Sequence, residues 1–344
     1  MNPRHAPPGR ILIVRISALG DIVFCTSLLE GLRRAYPDAY IAWLAQPAMA
    51  GVLEGDPRLS ELIRLPAGAL DGLAGMRETH RFLAREPYFD WVIDAQGLFK
   101  SRVLARMVSA RRRFGFASKE PGAFLMNSLH PKDGEPSTIG REYRYLAQQL
   151  TGGADPGAPR LVPSSLARER ADSILRSTGL TRGFVALCPF TTRPQKHWRE
   201  PYWGQLARRL SEHGLGPFAL FGAPADREAA NRILADMPSN TVDLVGATRI
   251  PDLPATLERA RIVIGVDTGL THIGTAVRRP TVALFGSTLP YTRGAESPLS
   301  VVHHALPCAP CKRRPTCDGE FMCMRDLKPE RVADEALRLL QDAA

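Results

Sequence analysis

The sequence predicts an α/β protein built from two doubly wound parallel sheets, and three observations carry that prediction. Short β-branched apolar runs alternate with stretches whose apolar residues recur every three or four positions, the pattern of parallel strands joined by helices. The alternation breaks at Thr151-Gly-Gly-Ala-Asp-Pro-Gly-Ala-Pro159, a linker composition, and then starts afresh. The stretch Arg261-Ile-Val-Ile-Gly-Val-Asp-Thr-Gly-Leu-Thr-His-Ile-Gly-Thr-Ala-Val277 reads as buried strand, sharp turn and helix start in one run, as in a strand covered on both faces. At 344 residues the chain is long enough for two domains, each with its own core.

Composition narrows the class. A hydrophobic share of 44% with 23% charged residues is that of an ordinary globular protein, which excludes disorder and fibrous classes. No run approaches the roughly 18 apolar residues of a membrane span. The start, Met1 to Arg10, is polar and proline-rich, and the apolar run Ile11 to Val14 is too short for the core of a signal peptide, so a cytoplasmic location is expected. The net charge of +10 and a pI near 9.6 imply an anionic partner: a nucleotide, an anionic membrane surface or nucleic acid. Compact clusters at Arg111-Arg-Arg113 and Lys312-Arg-Arg314 suit contact with a membrane surface, and suit equally well a merely solvated face.

In chain order, Ile11-Leu-Ile-Val-Arg-Ile16 is the first strand and Ser17-Ala-Leu-Gly-Asp21 the turn after it. Ile22, Cys25, Leu29, Leu32 and Tyr36 then form one helical stripe, which Pro37 ends. Tyr40-Ile-Ala-Trp-Leu44 is a strand, a helical stretch follows from Pro47, and Leu62-Ile-Arg-Leu65 is a short third strand. Residues 72–85 predict a helix, Asp90-Trp-Val-Ile-Asp94 a strand and residues 100–108 a helix. Over 119–138, Pro121, Gly122, Pro131, Gly134 and Pro136 interrupt the apolar Phe124, Leu125 and Met126. A long loop is expected there, either a flap facing acceptor or membrane or an irregular insertion. Residues 142–150 are helical. Past the linker come a helix at 167–176, the strand Phe184-Val-Ala-Leu-Cys188, a helix at 201–213, the strand Pro217-Phe-Ala-Leu-Phe221 and a helix reaching 237. Then follow the strand Val242-Asp-Leu-Val245, a helix at 253–259, the strand at 261 and Thr281-Val-Ala-Leu-Phe-Gly286, which closes the second sheet. A last helix at 329–340 is expected to pack back across the N-terminal domain. The domains are thus 1–155 and 160–327, with 328–344 as a terminal helix.

Two stretches carry chemistry. At Asp267-Thr-Gly-Leu-Thr-His272 a helix begins just after a strand. Its first amides lack partners within the helix and carry the positive end of its dipole, a favourable place for phosphate. Taken alone it is equally an ordinary capped turn. Pro189-Phe-Thr-Thr-Arg-Pro-Gln-Lys-His-Trp198 packs two hydroxyls, an Arg, a Lys and an aromatic ring into another strand exit, where open α/β sheets place their ligands. The TTR-x-x-KHW loop and the V-DTGL-x-H turn together resemble the pattern of glycosyltransferase family 9, and within it the lipopolysaccharide heptosyltransferases.

That resemblance implies the GT-B architecture, two Rossmann-like domains facing a cleft, with no metal needed for donor binding. It implies transfer of L-glycero-D-manno-heptose from ADP-heptose to the Kdo sugar of a lipid A precursor, with inversion, at the cytoplasmic face of the inner membrane and without nucleic acid. Ser17, Gly20 and Asp21 match the family's S-x-x-GD turn, which implies Asp21 as the general base. A sugar hydroxyl needs such a base to become a nucleophile, although Asp21 alone also reads as a helix cap. Asp94-Ala-Gln-Gly-Leu-Phe-Lys-Ser101 matches DAQGL-x-KS, which puts Gln96, Gly97 and Lys100 on the acceptor side. On the donor side the resemblance implies phosphate contacts from Thr191 and Thr192, and a ribose and pyrophosphate site at Asp267, Thr268, Gly269, Leu270 and His272. Lys196 would neutralise the departing diphosphate, a task suited to a compact ammonium. Asp226, after Gly222-Ala-Pro224, stands near the donor ribose.

Cys308, Cys311, Cys317 and Cys323 follow the spacing C-x2-C-x5-C-x5-C. Other family members, including those that add a second heptose, carry a similar tail, so which heptose is added stays open. In a reducing compartment four clustered thiols point to a structural zinc or iron, or else to free thiols; Cys25 and Cys188 fall on apolar faces as core residues. Two other classes fit less well. A nicotinamide-dependent oxidoreductase needs a G-x-G-x-x-G after the first strand, and here Asp21 stands where the pyrophosphate would lie. A basic nucleic-acid-binding protein with a cysteine metal site leaves the TTR-x-x-KHW loop unexplained.

Overall fold

The computed structural model describes residues 7–181, 183–311 and 314–342; Lys312 and Arg313 of the second basic cluster and the first six residues of the chain lie outside them. The chain divides into two units, Met1–Glu135 with Gly140–Val162, and Pro136–Ile139 with Pro163–Ala344. The first unit runs β1 (Arg10–Val14), α1 (Leu19–Ala35), β2 (Tyr40–Ala45), α2 (Pro47–Ala50), β3 (Glu61–Arg64), α3 (Gly72–Leu83), β4 (Phe89–Asp94), α4 (Phe99–Met107), β5 (Ala110–Phe116), β6 (Ser128–His130) and α5 (Arg141–Thr151). Its strands form one parallel sheet in the order β3-β2-β1-β4-β5-β6.

The second unit repeats the plan after α6 (Ser165–Ser177): β7 (Val185–Cys188), α7 (Glu200–Glu212), β8 (Phe218–Leu220), α8 (Arg227–Ala235), β9 (Thr241–Asp243), α9 (Leu253–Glu258), β10 (Ile262–Val266), α10 (Gly269–Ala276), β11 (Thr281–Phe285) and β12 (Leu299–His303). The parallel order is β12-β11-β10-β7-β8-β9. Read from its own first strand, each sheet steps outward through three strands and then returns to the other side of the first. Strand order therefore reverses between β1 and β4 in one unit and between β7 and β10 in the other, and in open sheets such reversals open a crevice at the strands' C-terminal ends. The inner strands are the ones the sequence marks as unbroken apolar runs: Ile11 to Val14 and Ile262 to Val266 are buried throughout, as helices on both faces require.

The structure corrects three expectations and assigns the last helix to a unit. The 119–138 stretch is not all loop, since Ser128–His130 pairs with Phe114 to Phe116 as β6; three half-buried residues at an edge leave no alternation to read. β11 does not close the second sheet, because β12 lies beyond it. The linker composition at 151–159 stays with the first unit. Asp155 accepts from Arg144 Nε at 2.8 Å, Arg160 N donates to Thr26 Oγ1 at 3.0 Å, and Arg58 donates to Arg160 O at 2.7 Å, so the division falls after Val162. The last helix, α12 (Pro329–Gln341), falls within the second unit. It packs on α7, β11 and β12, where Val332, Ala333, Ala336 and Leu339 join the core, so its one apolar stripe is already used. Part of the first basic cluster is also structural: Arg113 donates to Ala105 O and Val108 O, closing the C-terminal end of α4.

Candidate active site

All four motifs singled out in the sequence sit at the two strand-order reversals. In the second unit, β7 exits into the loop 189–198, which is held from beneath. Trp198 is buried, donates Nε1–H to Leu327 O at 2.7 Å and meets Trp203 edge-on at 4.9 Å. His197 Nε2 lies 2.8 Å from Thr191 O, tying the loop to itself. Lys196 ends the short 3₁₀ turn Pro194–Lys196 and places Nζ 2.5 Å from Asp267 Oδ2. Asp267 directly follows β10. Its Oδ2 also accepts from Thr288 Oγ1 at 2.6 Å, and its Oδ1 lies 3.2 Å from His272 Nε2. His272 Nδ1 in turn is 2.8 Å from Tyr291 OH.

Charge follows from these contacts. Burial would raise the Asp267 carboxyl, but His272 and Lys196 outweigh it and hold it well below the usual carboxylate range. Burial pushes the Tyr291 phenol up, so it keeps its proton. Tyr291 thus holds its hydroxyl against His272 Nδ1 while Nε2 faces the Asp267 carboxylate. Close packing sets the turn. A side chain at Gly265 would place Cβ 2.2 Å from Thr271 Oγ1 and 2.8 Å from Cys188 Cβ, so only glycine lets α10 and β7 approach β10. Thr268 caps α10 in an extended conformation without a side-chain hydrogen bond, and Gly269 and Leu270 follow half-buried. The first amides of α10 thus have no side-chain cap to answer them. Thr191 is half-buried and Thr192 exposed on the same loop. Asp226 is not gathered into this group: its Oδ2 accepts from Ala223 N at 2.8 Å and closes its own turn.

In the first unit the two strand exits are bonded together. Asp94 Oδ1 accepts from Gln96 N and Gly97 N, both at 3.1 Å, and Gln96 Oε1 accepts from Ile16 N at 3.0 Å. Gly97 adopts φ +72°, and a Cβ there would lie 3.1 Å from Phe116 Cβ, so the turn needs glycine. The buried Gln96 amide thus fixes the backbone from which the Ser17–Asp21 turn departs. Asp21 stands in the first turn of α1 with its side chain 47% exposed, paired with the Arg15 guanidinium. Arg15 is buried and donates Nη1 to Ala95 O at 3.4 Å. Burial opposes its charge, yet Tyr143 and Asp21 outweigh that and keep it protonated. Asp94 is the reverse case: burial raises its carboxyl above the usual range, and Oδ2 is buried without a hydrogen-bond partner. Ser17 and Gly20 are half-buried and Lys100 is exposed.

Residues 78–321 match the sequence profile of Glycosyltransferase family 9 (heptosyltransferase). Lipopolysaccharide heptosyltransferase 1 of Pseudomonas aeruginosa is 30% identical over 361 aligned positions, covering 96% of this chain and 98% of that protein. The chain belongs to glycosyltransferase family 9. Another family member, lipopolysaccharide heptosyltransferase 2 of Salmonella typhimurium, is 27% identical and covers 97% of this chain and 99% of that one. The fold agrees. A family 9 glycosyltransferase from Veillonella parvula superposes with a TM-score of 0.85 at 22% identity, covering 97% and 98% of the two chains. An E. coli heptosyltransferase solved with ADP-2-deoxy-2-fluoro heptose gives 0.71 at 23%, covering 97% and 100%. Two parallel six-stranded α/β units are the domain pair of a GT-B glycosyltransferase.

Three contributors to this enzyme's candidate site were not singled out in the sequence. Arg15 carried a readable signal, as the one charge inside an unbroken apolar run, and a buried charge demands a partner. Thr288 and Tyr291 lie in an irregular segment beyond β11, where no periodicity marks them. The four cysteines lie near enough to one another that, after burial, Cys311, Cys308 and Cys317 raise the Cys323 thiol, and Cys308 and Cys317 raise that of Cys311. Among the described residues no group of three or more His, Cys, Asp or Glu side chains is placed to hold a metal ion. Cys308 is exposed, Cys311 directs its thiol at Ser287 O at 3.9 Å, and Cys323 is buried in the short helix α11 (Met322–Arg325). The Cys323 sulfur packs so closely on Gly286 that a Cβ there would lie 2.8 Å from it. That thiol packs on the core while facing the other three cysteines.

Proposed function

We propose that the enzyme transfers L-glycero-D-manno-heptose from ADP-heptose to the Kdo region of a lipid A precursor, inverting the anomeric carbon, in assembly of the lipopolysaccharide core. The observation that carries this reading is the Lys196–Asp267–His272 group beside the uncapped start of α10, all at the β7/β10 reversal. A pyrophosphate placed there gains the helix amides and a lysine cation. Asp267 holds that cation until the diphosphate departs, when the growing negative charge draws Lys196 to itself. Inversion calls for attack from the face opposite the leaving group. Asp21 receives the acceptor hydroxyl's proton, and its exposure leaves it open to a substrate while Arg15 orients it. The acceptor lies along Ser17, Gly20, Gly97 and Lys100, with Gln96 as their support. Thr191 and Thr192 are the phosphate-side hydroxyls, and Asp226 is kept as a ribose neighbour. The acceptor is an anionic lipid, so the enzyme works at the cytoplasmic face of the inner membrane by peripheral contact.

Similarity to heptosyltransferase 2 along nearly the whole chain supports a second reading, in which the acceptor already bears the first heptose. ADP release from ADP-heptose, measured across Kdo-lipid A and heptosylated acceptors, decides between them. Turnover with neither acceptor refutes both.

A further inference from the structure

The segment between β5 and β6 is held firmly while its tip is left bare. Arg102 of α4 is wholly buried and its guanidinium donates to Glu120 O at 2.6 Å, Pro121 O at 2.7 Å, Phe116 O at 2.9 Å and Ser118 Oγ at 3.0 Å. Ser118 Oγ donates onward to Gly97 O at 2.8 Å, which joins the segment to the acceptor-side turn. The segment then forms the 3₁₀ turn Ala123–Leu125, which packs on α4. A Cβ built at Gly122 would lie 3.2 Å from Phe99 Cδ2 and 3.3 Å from Leu125 Cδ1, so the turn that carries Phe124 comes down beside Phe99 at the start of α4. On this patch Phe124 is 85% exposed, Phe99 44% and Leu98 43%. The neighbouring α3, which packs beside α4, exposes Leu73 and Met76 as well. Lys119 and Lys100 flank the patch and are exposed; the acid within it, Glu120, turns its carboxylate toward Phe99 N at the start of α4.

Contiguous exposed aromatics on a clamped backbone mark a contact surface. The ordering cost of presenting them is already met by Arg102, so docking gains nearly the full burial of the rings. We propose that this face seats the first unit on an anionic bilayer, with Phe124, Phe99 and Leu98 entering the interfacial layer and Lys119 meeting lipid phosphates. Apolar tips ringed by lysines complement that surface in both hydrophobicity and charge. The inference deepens the proposed function, because the bonds from Ser118 to Gly97 put the lipid-facing patch next to the turn assigned to the acceptor.

The test is co-sedimentation of the full chain with vesicles of phosphatidylcholine alone or mixed with phosphatidylglycerol. Wild type should pellet with the mixed vesicles and much less with the neutral ones. Phe124→Ser, at a site too exposed to matter for folding, should weaken partition roughly 10- to 100-fold, as expected for a buried phenyl ring. Lys119→Glu should weaken binding chiefly at low salt. Leu166→Ser, an exposed leucine on α6 of the second unit, should bind as wild type does. Wild type that ignores the mixed vesicles, or Phe124→Ser that binds them normally, overturns the proposal. A water-soluble, deacylated acceptor separates the two claims. Turnover of it without vesicle binding sinks the surface and leaves the function standing. Phe124-dependent binding without turnover of any acceptor does the reverse.

Discussion

At the scale of single residues, the two halves of the reaction depend on differently balanced charges. Asp21 is an exposed carboxylate paired with a buried arginine, so it is oriented yet reachable. Replacing it with Asn should lower transfer by roughly 10²- to 10⁴-fold, the usual loss of a general base. ADP affinity, measured by calorimetry, should stay unchanged, because the nucleotide is assigned to the other unit; a parallel loss of ADP binding would remove Asp21 from its role. Lys196→Ala should behave differently, lowering both ADP affinity and rate, since one cation faces ground-state and developing charge. Asp267 makes a pH prediction. Its carboxyl is held below the ordinary carboxylate pKa of about 4, so its stabilising contribution is complete above that value and is lost as the pH falls below it. Thermal melts of wild type against Asp267→Asn should therefore converge on acidification below about pH 4. A gap that stays constant down to low pH would contradict the ion-pair account.

At the scale of elements, much of each motif serves to hold a few reactive groups. In the 189–198 loop Lys196 reaches Asp267, while His197 and Trp198 tie the loop to Thr191 O and Leu327 O. Trp198→Ala should destabilise the second unit by about 3 to 5 kcal/mol and weaken ADP binding through loss of the loop's anchor. ADP affinity unchanged by that substitution would mean the loop needs no anchor. The Asp94 turn is the first unit's counterpart. One oxygen accepts two amides and the other is buried without a partner, so ionisation costs stability there. Asp94→Asn keeps an acceptor for both amides and removes the charge; it should melt no lower than wild type, while Asp94→Ala should melt lower.

At the scale of the molecule, the same strand order appears twice, and each unit has its own core and its own strand-order reversal. The division of labour has a direct readout in hydrogen exchange. ADP alone should protect amides in 190–198 and 266–272 of the second unit, and leave 15–21 and 94–100 of the first at their free rates. Equal protection in both would mean that the nucleotide is not confined to the second unit.

Sequence by itself determined what rests on local and periodic signals. The buried parallel strands, the turn after β10 and the Lys196 loop were legible because β-branched runs, glycine at a tight approach and clustered polar groups at a strand exit each have a local cause. Tertiary structure alone decided the rest. That Asp226 also closes its own turn depends on which amide lies within reach, and Ala223 N does. Thr288 and Tyr291 matter only because the chain beyond β11 returns to Asp267 and His272. The edge strands β6 and β12 and the docking of α12 are set by neighbours that a short or amphipathic segment cannot name for itself. The cysteine spacing shows the same limit. One pair at a ligand-like interval and two further cysteines suggest a metal, but the spacing says nothing of Cys323, whose sulfur packs on the core beside Gly286.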